Sequence, residues 1–320
     1  MAVATPVFDD WASLSRLLAD LDNVEADVEF SVFVIDDGSN ERAEINLPQA
    51  PLRRIRSVEI ITLVCNMGHQ RAIAIGLVEA GRRENFDALL VMDADGEDRP
   101  ADIPRLVAKA LQHPGCIVYA RRGRRPGLLA FRIWYGCYKL AFRLLTGHTL
   151  DFGNFCLIPN ERVRALINNP SIWNNLASTL RRARLPLVGV PIDRGVRYAG
   201  RSKMGFVGLV MHGLSAMAVY SDIVMVRLLL GALAIGAITI CGIGWVLFEK
   251  LFTTMAIPGW ATSAVGILTV VLVQALMLLT IAVFNVMGAR SLAVVIPSVD
   301  APKYILARQL VFAAPDETVE

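Results

Sequence analysis

LLVMDADGEDRP, residues 89–100, is the stretch on which the reading of the fold turns. An apolar run stops at three closely spaced acids, Asp93, Asp95 and Glu97. Side chains alternate along an extended segment, so these three face one way if the strand persists slightly past its apolar part. Carboxylates gathered that closely repel one another unless a cation joins them, and hard oxygen donors suit Mg2+ or Mn2+, ions that typically hold a diphosphate. A solvated acidic turn closing a strand is the alternative.

The sequence on the N-terminal side repeats the same design. Residues 28–35 are rich in Val, Phe and Ile and stop at Asp36-Asp37-Gly38-Ser39, while 58–65 end at Asn66-Met67-Gly68-His69. Helical spacing follows in 70–83 and, earlier, in Trp11, Leu14, Leu17, Leu18 and Leu21, after a first short strand ending around Thr5 to Asp10. Strands alternating with helices predict an α/β fold with a mostly parallel sheet, in which ligands bind beyond the carboxyl ends of the strands. That rule puts 36–39, 66–69 and 93–97 on one rim. Three polar strand ends in one crevice favour a site for a polar ligand over a chance turn.

Composition sets the outer bounds. The 320 residues suffice for one large or two ordinary domains, and 54% hydrophobic residues with a mean hydropathy of +0.49 predict that part of the chain lies in lipid. The net charge of +3 hides local arginine excesses around 121–143 and 181–203, so nucleic-acid binding by the whole protein is not suggested. Five cysteines without a CxxC pair and four scattered histidines give neither a disulfide framework nor a zinc site. No basic, apolar and small-residue leader opens the sequence, so the N-terminal part is expected in the cytosol.

Taken in order, these motifs resemble glycosyltransferase family 2 enzymes with a GT-A fold, and within them the polyprenyl-phosphate glycosyltransferases, which include dolichyl-phosphate mannose synthases and bactoprenyl glucosyltransferases. PVFDD (6–10) looks like the family's opening Pro-Val-Tyr-Asn-Glu, VIDDGS (34–39) like its nucleotide-binding strand end, and NMGHQRAIAIGL (66–77) like its Asn-x-Gly segment. MDADGEDRP (92–100) is similar to its Met-Asp-Ala-Asp-Leu-Gln-Asp-Pro-Pro. The resemblance implies that Asp36 or Asp37, with Pro6, Phe8, Asp10 and Asn66, serves the base and ribose of a UDP- or GDP-linked sugar. It implies that Asp93, Asp95 and Glu97 serve a divalent cation, Mg2+ or Mn2+, and the diphosphate, with Asp95, Asn154, Arg197 and Lys203 as the catalytic residues.

Two departures stand out. Glu97 replaces a glutamine, which keeps an oxygen donor and adds charge. DFGNFCL (151–157) looks like the family's Gly-Asp-Phe-Arg-Leu segment but carries Asn154 for the acid and Cys156 for the arginine. Asn cannot act as a general base. A lipid monophosphate, with a second pKa near about 6, needs none, so Asn154 is expected to orient acceptor or sugar, with Asp151 the weaker candidate for a base and a packed strand and turn in the domain core the alternative reading.

Two basic clusters follow. Arg121, Arg122 and a helix at about 125–146, in which Arg132, Lys139 and Arg143 share a face among aromatic residues, read as a helix on an anionic membrane surface, with Arg121, Arg122 and Arg132 expected to bind substrate, nucleic acid the rival and a solvated basic face the bland reading. RGVRYAGRSK (194–203) resembles the family's Arg-x-x-Gly-x-Ser-Lys, which implies phosphate contacts by Arg197, Ser202 and Lys203; a basic connector to the membrane is the alternative.

The expected organisation is therefore a cytosolic GT-A domain at 1–203, a juxtamembrane amphipathic helix at 204–221, two transmembrane helices within 222–290, at about 226–248 and 264–288, and a cytosolic tail at 291–320. Arg227 and Arg290 flank the spans and put both outer ends in the cytosol. Ala232 and Gly236, four apart, suit close helix approach. The expected activity is inverting hexosyl transfer from a nucleotide sugar to a polyprenyl phosphate at the membrane lipid surface. Two spans are too few for a processive polysaccharide channel. A non-catalytic nucleotide-sugar-binding membrane protein, or transfer to another lipid or protein acceptor, is the alternative, and a homo-oligomer stays open.

Overall fold

A computed structural model describes residues 1–41, 52–83, 86–122, 129–149, 152–199, 205–253, 259–291 and 294–315. In chain order the elements are β1 (Ala2–Val7), α1 (Trp11–Asp22), β2 (Phe30–Asp36), β3 (Ile55–Leu63), α2 (His69–Gly81), β4 (Ala88–Val91), α3 (Ile103–Gln112), β5 (Ile117–Arg122) and α4 (Leu129–Thr146). They continue with β6 (Phe152–Pro159), α5 (Asn160–Ile167), α6 (Leu176–Arg182), β7 (Leu187–Ile192), α7 (Phe206–Ala218), α8 (Ser221–Phe252), α9 (Trp260–Ser291) and β8 (Ile305–Ala313).

The strands form one eight-stranded sheet in the order β7-β5-β6-β4-β1-β2-β3-β8, in which β6 and β8 run against the rest. Alternation of side chains along each strand divides the core between the two faces. Phe33 and Ile35 of β2, Ile61 and Leu63 of β3, and Leu89 and Val91 of β4 pack with α2, α5 and α6. Val32, Val34, Ile60 and Leu90 pack on the other face with Leu14, Leu17, Leu18 and Leu21 of α1 and Ile103 and Leu106 of α3. Helices on both faces explain why these strands read as continuous apolar runs.

Two compact units contain these elements. The first comprises 1–132, 150–219 and 294–320, and the second 133–149 and 220–293. The tail expected at 291–320 is thus corrected: β8 pairs antiparallel with β3 from Leu63↔Ile305 to Ser57↔Ala313 and forms the sheet's edge. Its burial does not alternate, because most of its side chains are exposed, so no period-two signal marked it as a strand. It is fastened by Arg308, whose Nε and Nη2 donate to the two carboxylate oxygens of buried Glu79 on α2 at 2.7 and 3.2 Å.

In the second unit α8 and α9 are each 32 residues long, well beyond the roughly 20 residues needed to cross a hydrocarbon layer. Both therefore extend past the expected spans. Their apolar windows have mean hydropathies of 2.4 and 2.7 but are only 6% and 11% buried, unlike the core helices of a soluble domain. Ala232 is buried, and a Cβ on Gly236 would lie 3.8 Å from Leu272, so small residues do mark their contact. Within the same unit, Arg227 Nη1 donates to the Leu144 carbonyl at the C-terminus of α4 at 2.6 Å, where a cation complements the helix dipole.

Candidate active site

The sheet's directions decide where polar residues collect. The carboxyl ends of β1, β2, β3, β4, β5 and β7 share one rim with the amino ends of the reversed strands β6 and β8. All three expected strand-end motifs lie there, as does Asn154 near the start of β6.

At one side of this rim the ends of β1, β2 and β3 are tied together. Asp9, held at φ +44, accepts from the Asn40 amide through Oδ1 at 2.7 Å, and its own N–H donates to Ser39 Oγ at 2.9 Å. Asp36 Oδ1 accepts from the Ser39 N–H at 2.9 Å. Asp37 turns inward and accepts from the backbone N–H groups of Met67 and Gly68 at 2.7 and 3.0 Å. Burial pushes the Asp37 carboxyl above the usual carboxylate range, although those two amides pull it back. Gly38, at φ +72, is required here because a Cβ would stand 2.6 Å from the Asn66 nitrogen. Asp37 therefore fixes the β3–α2 loop, and Asp36 is the acid of the pair whose hydrogen bond stays within its own turn.

The centre of the rim holds a chain of polar side chains. The Leu176 N–H donates to Gln70 Oε1 at 2.8 Å, Gln70 Nε2 donates to Asn154 Oδ1 at 3.1 Å, and Asn154 Nδ2 meets His69 Nε2 at 2.9 Å. His69 Nε2 also lies 3.3 Å from Asp93 Oδ1. The backbone N–H at one end sets the polarity of both amides, which asks His69 Nε2 to accept and leaves the proton on Nδ1. Burial lowers the His69 pKa, but Asp93, with Asp37 and Asp98 behind it, outweighs burial and raises the net value. The two demands compete for one nitrogen: a proton on Nε2 serves Asp93 but requires both amides to reverse, at the expense of the Leu176 bond. Asn154 is buried with both amide ends engaged, so it acts on its surroundings through His69.

The acidic stretch itself is not an extension of the strand. β4 ends at Val91, and 94–98 turn back through Gly96 at φ +87, closed by the Asp93 N–H on Asp98 Oδ2 at 3.0 Å and the Glu97 N–H on Asp95 Oδ1 at 2.9 Å. The turn nevertheless keeps Asp93, Asp95 and Glu97 half-exposed and Ala94, Gly96 and Asp98 buried. The segment following β7 lies across it. Arg197 Nη2 reaches Asp95 Oδ2 at 2.5 Å, Arg197 Nε reaches Glu97 Oε1 at 3.2 Å, and Arg194 pairs with Glu97 Oε2. Backbone N–H groups of Gly195 and Tyr198 donate to the carbonyls of Glu97 and Asp95, each at 2.9 Å. Tyr198 anchors the segment through its hydroxyl on Asp20 Oδ2 at 2.6 Å.

For a divalent cation the donor chemistry of the turn fits, since three half-exposed carboxylates on one short turn are hard oxygen ligands. Among the described residues, however, no three His, Cys, Asp or Glu side chains converge on a common point, because Asp95 and Glu97 face the arginines.

The other expected site residues are distributed as follows. Pro6 is buried in β1, Phe8 and Asp10 are half-buried beyond it, Asn66 is exposed at the end of β3, and Arg121 is exposed at the end of β5. Arg122 lies in β5 and Arg132 in α4, their side chains outside what is described, while Asp151, Ser202 and Lys203 lie outside the described residues. Cys156 is fully buried between β4 and β5, and burial pushes its thiol far up, so it is an inert packing residue.

Residues 2–161, half of the chain, match the model of the family described as Glycosyl transferase family 2. The chain belongs to glycosyl transferase family 2. This glycosyltransferase draws on a nucleotide-sugar donor, and the rim described above lies within or beside the matched span. A relative, the uncharacterized glycosyltransferase YkoT of Bacillus subtilis (strain 168), is 28% identical over 246 residues, covering 74% of this chain and 69% of the relative. Among solved structures, glucosyl-3-phosphoglycerate synthase of Mycobacterium tuberculosis, in complex with Mn2+, UDP-glucose and phosphoglyceric acid, is 17% identical with a TM-score of 0.46, over 70% of this chain and 79% of that one. S. aureus TarS in complex with UDP-GlcNAc is 14% identical with a TM-score of 0.40, over 73% of this chain and 66% of that one.

Several residues of this family 2 glycosyltransferase were not singled out by sequence reasoning: His69, Gln70, Asp98, Arg194 and Tyr198. His69 and Asp98 were legible by position, one directly after a strand-end glycine and the other inside the acidic stretch. Gln70, Arg194 and Tyr198 acquire their roles only through contacts with residues far away in sequence.

Proposed function

We propose that this glycosyltransferase moves a sugar from a nucleotide diphosphate donor to a polyprenyl phosphate at a membrane surface, with inversion. The observation that carries the membrane part of this reading is the return of the chain. It leaves the sheet-containing unit at 219, runs through two long, exposed apolar helices, and re-enters that unit at 294 to supply β8. A pair of spans brings the chain back to the side it left, whereas a single span does not. The positive flanks Arg227 and Arg290 favour the cytosolic side. On α4, exposed Lys139 and Arg143 stand beside exposed Leu140 and Leu144, the mixture that suits a helix lying among anionic headgroups.

The chemistry asked of the site is modest. The acceptor's phosphate oxygen is already ionised near neutral pH, so its lone pair forms the new bond to the anomeric carbon as the bond from that carbon to the nucleoside diphosphate breaks. No proton has to be removed, which accords with an amide at 154. Asp93, Asp95 and Glu97 would hold a divalent cation, which when bound supplies charge neutralisation for the departing diphosphate. Asp36 and the adjacent β1 end would serve the base and ribose, and Arg197, with Ser202 and Lys203, the phosphates. Asn154 holds His69, whose Nε2 lies 3.3 Å from Asp93 Oδ1, so a proton taken up at that nitrogen would serve Asp93.

The test is transfer by the purified full chain in detergent or nanodiscs, given labelled UDP- and GDP-sugars, Mg2+ or Mn2+, and undecaprenyl phosphate. Label entering the organic phase only when the polyprenyl phosphate is present supports the reading. Label passing to a diacylglycerol or peptide acceptor instead, or to no lipid with any donor, rejects it.

A further inference from the structure

We propose that Arg194 and Arg197 form an exchangeable latch, which holds Glu97 and Asp95 in the donor-free enzyme and transfers to diphosphate oxygens when cation and nucleotide sugar arrive together. The inference rests on the reading that the acidic turn takes a cation and a diphosphate.

Three features of the latch carry it. The first is that the two arginines occupy the same oxygens a cation needs: Arg197 spans Asp95 and Glu97, and Arg194 takes the second oxygen of Glu97. A divalent cation placed on those carboxylates stands within a few ångströms of two guanidinium groups, and like charges so close repel. Cation alone therefore binds against the latch, whereas cation with diphosphate brings oxygens that accept the displaced guanidinium groups, whose planar forks suit phosphate.

The second feature is that the latched arrangement leaves a donor unmet. Arg194 Nε is buried without a hydrogen-bond partner among the described residues, in a small cleft lined by Glu97, Asp98, Phe155 and Ile192. A buried charged donor left unpaired is costly, so Arg194 is better satisfied by a further anion than by Glu97 alone. The third is that the segment is held at both ends by bonds that do not involve the carboxylates. Gly195 and Tyr198 use backbone carbonyls of the turn, and Tyr198 is fixed to Asp20 on α1. The arginines can thus change partners while the backbone stays in place.

The consequence is a coupled site, in which cation and nucleotide each strengthen the other's binding. The experiment is Mn2+ binding to the full-length enzyme, followed by electron paramagnetic resonance with no nucleotide, with UDP and with GDP. Arg194→Gln and Arg197→Gln are expected to bind Mn2+ without nucleotide at least about tenfold more tightly than the wild type, and to lose most of the strengthening that nucleotide gives. Tyr198→Phe removes only the hydroxyl anchor, leaves both arginines present, and is expected to shift Mn2+ affinity in the same direction by a smaller factor while the thermal transition confirms folding. Mn2+ affinity without nucleotide that is equal or weaker in the arginine variants overturns the latch. Failure of every protein to bind Mn2+, with either nucleotide, overturns the cation–diphosphate reading of the turn and the latch with it.

Discussion

Replacing Arg308 with alanine tests how far the C-terminal strand supports the helix that carries the site. Glu79 is only 3% exposed, and Arg308 supplies a bidentate pair to it from β8. A second cation, Arg82, is 3.6 Å away, with a side chain 44% exposed and its Nη2 donating to the Ser298 carbonyl at 3.0 Å. Removing one partner of a fully buried ion pair costs about 3–5 kcal/mol. Arg308 is itself 42% exposed along its side chain and Arg82 retains part of the interaction, so the expected loss is about 2 kcal/mol. For a unit of this size, about 1 kcal/mol shifts the thermal midpoint by roughly 2–4 °C, so Arg308→Ala should melt about 4–8 °C below the wild type by near-UV circular dichroism or tryptophan fluorescence. Because α2 begins with His69 and Gln70, the same variant should lower turnover as its N-terminus loosens. The double variant Arg308→Met/Glu79→Leu should recover most of the midpoint, since it leaves no buried charge behind. A single variant that melts within 1 °C of the wild type, or a double variant no better than the single, refutes the view that β8 clamps α2 through this pair.

Three further outcomes follow from the site. Asn154→Ala leaves Gln70 Nε2 buried without its acceptor and frees His69, so kcat at saturating donor and acceptor should fall roughly tenfold, the equivalent of about 1.4 kcal/mol, with KM little changed; normal turnover would show that Asn154 positions nothing. Burial raises the Asp37 carboxyl above its unfolded value, so its protonated form is favoured by folding. The stability it contributes is then greatest below the ordinary carboxylate pKa and declines as pH rises through the raised value. Thermal midpoints measured across that window should show this decline in the wild type and a flatter profile in Asp37→Asn. Gly96→Ala imposes a side chain at φ +87 and puts its Cβ 2.9 Å from the Tyr198 ring, which should cost about 1–2 kcal/mol and loosen the 194–198 segment, visible as faster amide exchange at Tyr198.

Much of the fold was legible because the strands of a sheet covered on both faces announce themselves as unbroken apolar runs. β7 spans the expected residues 187–192, and β2, β3 and β4 differ from expectation by only a few residues. What escaped was information carried by partners distant in sequence. β8 has no alternation of its own and becomes a strand because β3 offers it an edge. The three acids were expected to face one way by strand geometry, and they do stay half-exposed, but through a glycine turn whose direction depends on Asp98 and on the arginines lying over it. The site's residue types were visible, whereas their pairing was not: Asp37 is spent on two backbone amides, and Asn154 on two side chains.

The most direct test of the proposed transfer is the structure of its product. Lipid formed from an α-linked UDP- or GDP-sugar and undecaprenyl phosphate should give a 31P resonance of a single sugar phosphodiester and a proton coupling at the anomeric centre that reports the β configuration. A monophosphate resonance left unchanged, or an α-linked product, would contradict direct in-line attack by the lipid phosphate at this site.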